Sequence, residues 1–307
     1  MDKYDGYGAY EVPGGYGFFD KGRLVIHDIY DHARGFMENE VAVVELNSKY
    51  GFIDKAGKIV IPIICDKVGL FCEGFVYVCI DKKYGFIDKK GAWKIPNIFE
   101  DARDFSEGLA AVKSNNKFGF INKKGEWVIP NAYDKVGDFS EDLAAVKIDN
   151  KYGFIDKNGG MIISNFYDWA NNFREGLSVI ELNGKQGLIN KNGEIVLPCL
   201  YDNVDTYNFI NGLAEIKLNE KFGLINKKGM LTLPCLYDSF SLNCFSEGML
   251  EIESDGKTGF INSLGYLVIP CKYHNASSFD KGLSKICDSS GNKLGYINKS
   301  GVEYWED

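Results

Sequence analysis

Short apolar stretches alternate with small polar clusters along the chain. Tyr50 to Ile53 is aromatic or β-branched, Asp54-Lys55-Ala56-Gly57 is a polar break, and Lys58 to Ile61 is largely apolar again. This spacing predicts a strand, a type I turn opened by Asp or Asn and closed by Gly, and a second strand. Pro62 is expected to end that strand, because proline donates no ladder hydrogen bond. A loop through Cys65 and Asp66 leads to a third strand near Phe75 to Ile80, matched later by Leu109 to Lys113 and Leu143 to Lys147. Polar turns such as Ser114-Asn115-Asn116-Lys117 separate one such group from the next. No window places apolar residues at helical spacing, so long helices are not expected.

The pattern recurs over the whole length. YGFIDKAGKIVIP at Tyr50 to Pro62 returns as YGFIDKKGAWKIP, FGFINKKGEWVIP, YGFIDKNGGMIIS, QGLINKNGEIVLP, FGLINKKGMLTLP and TGFINSLGYLVIP. Each copy continues with an aromatic-acidic pair and an F-x-E-G-L-like segment. Registered on the first glycine, units begin at Gly17, Gly51, Gly85, Gly119, Gly153, Gly187, Gly223, Gly259 and Gly295, spaced 34 residues five times and then 36 three times. The extra pairs fall around Asn203 to Tyr207, around Ser239 to Cys244 and within CDSSGNKLG, which marks those places as solvent-facing loops.

Residues 1–307 therefore read as a single repeat domain of nine units, the last incomplete, without a linker or composition shift. The expected fold is all-β: a tandem repeat of three short antiparallel strands per unit, arranged as an open superhelical β-array. The chain starts with a strand-like Tyr4 to Val12 in the third-strand position and ends with two strands after Gly295. Such ends could cap an open array or complete a closed, β-propeller-like ring, which is the alternative.

Composition changes this picture little. The 35 Gly, 18 Tyr and 21 Phe against 7 Pro suit short strands and tight turns. A net charge of −8 repels phosphate backbones, so nucleic acid is not an expected partner. No apolar run approaches the roughly 20 residues that cross a bilayer, so membrane insertion is not expected. The start, MDKYDGYGAYEVPGG, has no secretory pattern, which makes the cytoplasm the expected location. Eight cysteines form no C-x-x-C pair and only His27, His32 and His274 accompany them, so neither a metal site nor a cofactor is expected.

The recurring K-[YF]-G-F-I-[DN]-K-x-G-x-x-V-I-P, followed by [YF]-[DE]-x-[VA]-x-x-F-S-E-G-L-A-x-V-K, resembles the bacterial WG-repeat (KWG) family over nearly the full length. The tryptophan that names the family is replaced here by Tyr16, Tyr50, Tyr84, Phe118, Tyr152, Gln186, Phe222, Thr258 and Leu294. The resemblance implies an all-β repeat protein and supplies no catalytic residue.

Four features invite a chemical reading. Asp20, Asp54, Asp88, Asn122, Asp156, Asn190, Asn226, Asn262 and Asn298 form a ladder that could bind calcium, yet five amides among nine favour turn hydrogen bonding. The acidic column Asp31, Asp66, Glu100, Asp134, Asp168, Asp202 and Asp238, broken by His274, is expected to cap loops, with an acidic stripe for a basic partner as the other reading. Cys199, Cys235 and Cys271 read as small packing residues rather than a redox or metal site. Trp93 and Trp127 share a column with Ile59 and Met161 and are expected in the core, whereas Trp169 shares one with Lys67, Asp101 and Lys135 and is a candidate partner contact. The glycines are assigned to turns and strand starts, not to phosphate loops.

A catalytic centre needs a unique polar constellation, and the repeats offer near-equivalent copies instead. The expected function is a non-enzymatic repeat scaffold that binds another protein. Carbohydrate recognition by exposed repeated aromatics is the alternative, and it requires the column before the first glycine to face solvent.

Overall fold

The computed structural model describes residues 8–12, 15–20, 23–36, 41–240 and 242–305. The expected strand residue Tyr4, Gly14 and the side chains of Asp20, His27 and Tyr207 lie outside the described residues. Among the described residues the chain forms β-strands and a single short 3-10 helix, Leu242–Cys244. All strand pairs among the described residues are antiparallel neighbours in sequence, which gives nine separate open sheets and no closed barrel there.

The repeat is thus all-β as expected, with corrections to its anatomy. Six sheets follow the pattern of His32–Ala33, Val41–Leu46, Lys49–Asp54 and Ile59–Cys65 and have four strands, as does the one that opens at Asn203–Ile210. The strand missing from the sequence reading is the first. It spans only two residues in several sheets, for example Lys67–Val68 and Lys135–Val136, too few to show any alternation. The described first sheet has three strands, as does the eighth, where the 3-10 helix stands before Met249–Ser254.

Proline does not end the second sequence strand either. Ile59–Cys65 runs through Pro62, and its pairing jumps from Phe52↔Ile61 to Tyr50↔Cys65. The proline sits inside this bulge on the outermost strand, where no neighbour requires its missing N–H. The bulge folds over the register glycine of the adjacent strand. A Cβ on Gly51 would lie 2.7 Å from the Ile61 carbonyl oxygen, so glycine is demanded there by close approach rather than by a turn.

The two hairpins of each sheet are set locally. Asn47-Ser48 and Asn115-Asn116 hold both central residues at positive φ, the geometry that matches strand twist in a two-residue hairpin. At the other hairpin the Asp54 Oδ1 accepts the N–H groups of Ala56 and Lys58, both at 2.9 Å, and Gly57 closes the turn at φ 78°.

Core side chains lie between consecutive sheets. Phe120, Ile129 and Tyr133 of one sheet pack with Val136, Phe139, Ala144, Val146 and Ile155 of the next. In several sheets the Phe of the F-x-E-G-L segment meets the G-F phenylalanine of the preceding sheet edge-on, as Phe105 does Phe86 and Phe139 does Phe120. Glu107 then ties the sheets together at the rim. Its carboxylate accepts the N–H groups of Glu141 at 2.7 Å and Asp142 at 2.9 Å, and pairs with Lys157 at 3.1 Å. Glu73 repeats the arrangement on Gly108 and Lys123. The chain divides into two compact units, residues 1–165 and 166–307.

Candidate functional site

Most repeated polar residues are occupied by the scaffold itself. In the ladder, Asn122 Oδ1 accepts from Lys124 and Glu126 as Asp54 does in its own turn, which explains why amide and acid alternate freely. In the acidic column, Glu100 accepts both hairpin N–H groups of Asn115 and Asn116 at 3.0 Å. Asp202 accepts from the Asn219 N–H at 2.7 Å and pairs with Lys185, and that ammonium holds its carboxyl below the usual range. Asp66 and Lys49, Asp134 and Lys117, and Asp238 and Lys221 repeat the pair. These acids cap loops, and a lysine meets each of the four.

The cysteine column behaves as packing. Cys235 and Cys271 reach the Ile216 and Ile252 carbonyl oxygens at 3.9 and 3.8 Å, and burial raises both thiols, which disfavours the nucleophilic thiolate. The aromatic column before the register glycine is also covered. Tyr84 is buried, while lysine ammonium groups lie over Phe118, Tyr152 and Phe222 at 5.5, 5.5 and 5.4 Å. A row of exposed stacking rings, the feature that carbohydrate binding along the repeats requires, is not formed by these residues.

The exposed apolar surface lies on the outermost strands instead, and it corrects the core placement of two tryptophans. Trp93 is 45% and Trp127 41% exposed, and Ile59 and Met161 of the same column face solvent with them. Consecutive turns are packed on the preceding outer strand: Gly91 faces Ile61, Gly125 faces Ile95 and Gly159 faces Ile129. Each column residue stands two positions after such a turn glycine, or after Gly57 for Ile59, so in the first unit the four follow one another along one rim. Trp127 also touches Phe99 edge-on at 6.0 Å. Sequence reasoning missed this rim because the outer strand is apolar on both faces and bulged. Alternation therefore assigned no outer face.

Matches to the WG containing repeat cover residues 16–50, 50–84, 84–118, 118–152, 152–185, 187–222, 222–257 and 259–288. The chain belongs to this family. The sequence matches no curated protein. Among solved structures, the WG-repeat chain is similar to a crystal structure of a eukaryotic initiation factor, with 10% identity, TM-score 0.51, and 97% of this chain and 94% of that one covered. It is also similar to Hsv2p of Kluyveromyces lactis at 10% identity and TM-score 0.37, covering 78% and 96%. The C-terminal WD40 domain of Sif2 gives 10% identity and TM-score 0.39, covering 72% and 77%. At such identities the first likeness concerns the fold alone.

Other singular positions of the WG repeats are dispersed. Trp169 is 39% exposed, in line with the polar column it interrupts. His32 stacks on Tyr16 with ring centroids 4.7 Å apart, and the Lys257 ammonium approaches His274 Nε2 at 2.8 Å. Among the described residues no helix is long and apolar enough to cross a membrane.

Two acids of consecutive WG units, Asp104 in the strand Asp101–Ser106 and Asp138 in a loop, went unnoticed because their column carries no constant residue type. Burial pushes the Asp104 carboxyl up to about 6 although it accepts the Leu70 N–H at 3.1 Å, and the charge of Asp138 adds to the rise. Asp138 is itself raised by burial, with Arg103 3.7 Å away opposing the rise. A folded-state value above the unfolded 3.8 favours the protonated form, so the Asp104 contribution is complete below about pH 4 and lost as pH rises through about 6. Asp104→Asn keeps the acceptor for Leu70 and removes the charge. We expect the variant to exceed the parent at pH 7 by about 1 kcal/mol, after discounting for solvent screening, with the difference vanishing towards pH 4. Urea midpoints at both pH values check this, and a variant less stable at pH 7 contradicts the burial argument.

Proposed function

We propose that this WG-repeat chain is a non-enzymatic scaffold that binds another protein through the apolar rim of its outer strands, and that it works in the cytoplasm. The observation that carries this reading is the run Ile59, Trp93, Trp127 and Met161, exposed along one rim of the first unit. Loop-capping acids, turn amides and clamp glutamates are by contrast engaged in holding the repeats. Exposed tryptophan next to aliphatic residues is the composition of contact hot spots. Pro62, Pro96 and Pro130 on the same strands remove N–H donors that strand addition would use, which favours side-chain docking over augmentation of the sheet. Variation between units then supplies specificity on a common framework.

The test is affinity capture from lysate of the native cell with the parent chain and with the double variant Trp93→Ser, Trp127→Ser. Each hot-spot truncation is expected to cost about 2 kcal/mol, roughly a thirtyfold loss, so proteins enriched by the parent should disappear from the variant eluate. An unchanged β-type circular dichroism spectrum shows that the variant is folded. Equal capture by both chains rejects the rim as the docking site.

A further inference from the structure

The sixth sheet carries two residues found once in their columns, Trp169 and Gln186, and they share a row. Backbone pairing places Trp169 opposite Glu181, Glu181 opposite Gln186, and Gln186 opposite Tyr201, so these four form one row across the sheet. Directly paired residues share a face. In the seventh sheet the same row reads Asn203, Lys217, Phe222 and Tyr237, and the lysine lies over the Phe222 ring. The fourth sheet has Asp101, Lys113, Phe118 and Tyr133, again with the lysine over the ring. The sixth sheet has neither the ring nor its lysine cover.

The space is open. A cavity of about 320 Å³ is bounded by Trp169, Asn171, Gln186, Asn203 and Asp205 together with two valines, within the second unit. That volume is at the small end of ligand sites. Gln186 Oε1 accepts the Val204 N–H at 2.9 Å, which fixes the amide and turns its NH2 away from that contact. Asn171 Oδ1 accepts the Asn172 N–H at 2.9 Å, which likewise orients its NH2.

We infer that this cavity is a binding site for a neutral sugar ring, with Trp169 as the stacking platform and the amides of Gln186, Asn171 and Asn203 reading hydroxyl groups. The ring of Trp169 offers an apolar face to the C–H face of a pyranose. Side-chain amides carry both donors and acceptors, as hydroxyl recognition needs, and the Asp205 carboxylate adds a strong acceptor. Among the described residues no basic side chain lines the cavity, whereas the Asp205 carboxylate does, so a neutral ligand suits it better than a phosphate or carboxylate. The site rests on residues found once in their columns, unlike a stripe of repeated aromatics, and it is independent of the rim around Trp93 and Trp127.

The experiment is saturation-transfer NMR on the full chain with glucose, galactose, mannose, N-acetylglucosamine and cellobiose, each alone, and with glucose phosphate and adenosine in parallel. Two variants restore what other repeats carry: Trp169→Lys, as at Lys67 and Lys135, and Gln186→Tyr, as at Tyr84 and Tyr152. We expect at least one neutral saccharide to bind saturably at millimolar or lower concentration, glucose phosphate to bind more weakly than glucose, Trp169→Lys to weaken binding at least tenfold, and Gln186→Tyr to abolish it. Absence of binding by every neutral saccharide overturns the assignment. Binding unchanged in Trp169→Lys, glucose phosphate bound as well as glucose, or adenosine bound where no sugar is, overturns it equally.

Discussion

Phe139→Ala is expected to destabilise the protein by about 3 to 5 kcal/mol and to broaden its unfolding transition. Phe139 is 1% exposed, and its ring meets that of Phe120 edge-on at 4.8 Å, with Ile129 and Tyr133 in the same cluster. Those three belong to the preceding sheet, so the side chain joins neighbours rather than filling one sheet. Stability of such an array is the sum of unit terms and nearest-neighbour terms, and this substitution removes a neighbour term. A natural domain has about 5 to 15 kcal/mol in total, so the loss is a large share. Weakened coupling lets the flanking repeats unfold separately, which lowers the apparent urea slope as well as the midpoint. A shift under 1 kcal/mol with an unchanged slope would show that adjacent sheets are not held through this ring.

Gly119→Ala is expected to cost about 3 kcal/mol, at the upper end for overpacking, because the added methyl has nowhere to go. Its Cβ would stand 2.5 Å from the Ile129 carbonyl oxygen and 2.7 Å from the Asn131 nitrogen and the Pro130 carbonyl carbon. All three are backbone atoms of the bulged outer strand, which cannot rotate away as a side chain would. Gly108→Ala is the control: its φ is +88°, and nothing lies within 4 Å of the added carbon. That change carries only the conformational cost of a left-handed position, about 1 kcal/mol. Thermal or urea unfolding of the two variants separates space from conformation. If Gly108→Ala proves the costlier, the close approach at the bulge is not what requires glycine.

Much of this was legible in the chain because repetition removes ambiguity. A single YGFIDKAGKIVIP predicts a hairpin, whereas eight further registers show which positions tolerate exchange. Asp54 alternating with Asn122 revealed a turn oxygen, and the lone Trp169 stood out against lysine and aspartate. The local turns followed, since Asx hydrogen bonds and positive-φ glycines depend on residues two to four positions apart.

What the sequence by itself determined is the family, the all-β class, the repeat length, the turns and the identity of the capping residues. These rest on short-range geometry that each unit restates. Only the tertiary structure decided how units share strands, since a two-residue first strand such as Lys67–Val68 has no pattern of its own and exists through pairing. It also decided that Pro62 lies inside a bulge, that Trp93 and Trp127 face solvent, and that Trp169 and Gln186 meet at one cavity. Each of these depends on which face of a strand a neighbouring sheet covers, and an apolar run with a bulge carries no alternation from which that face could be read.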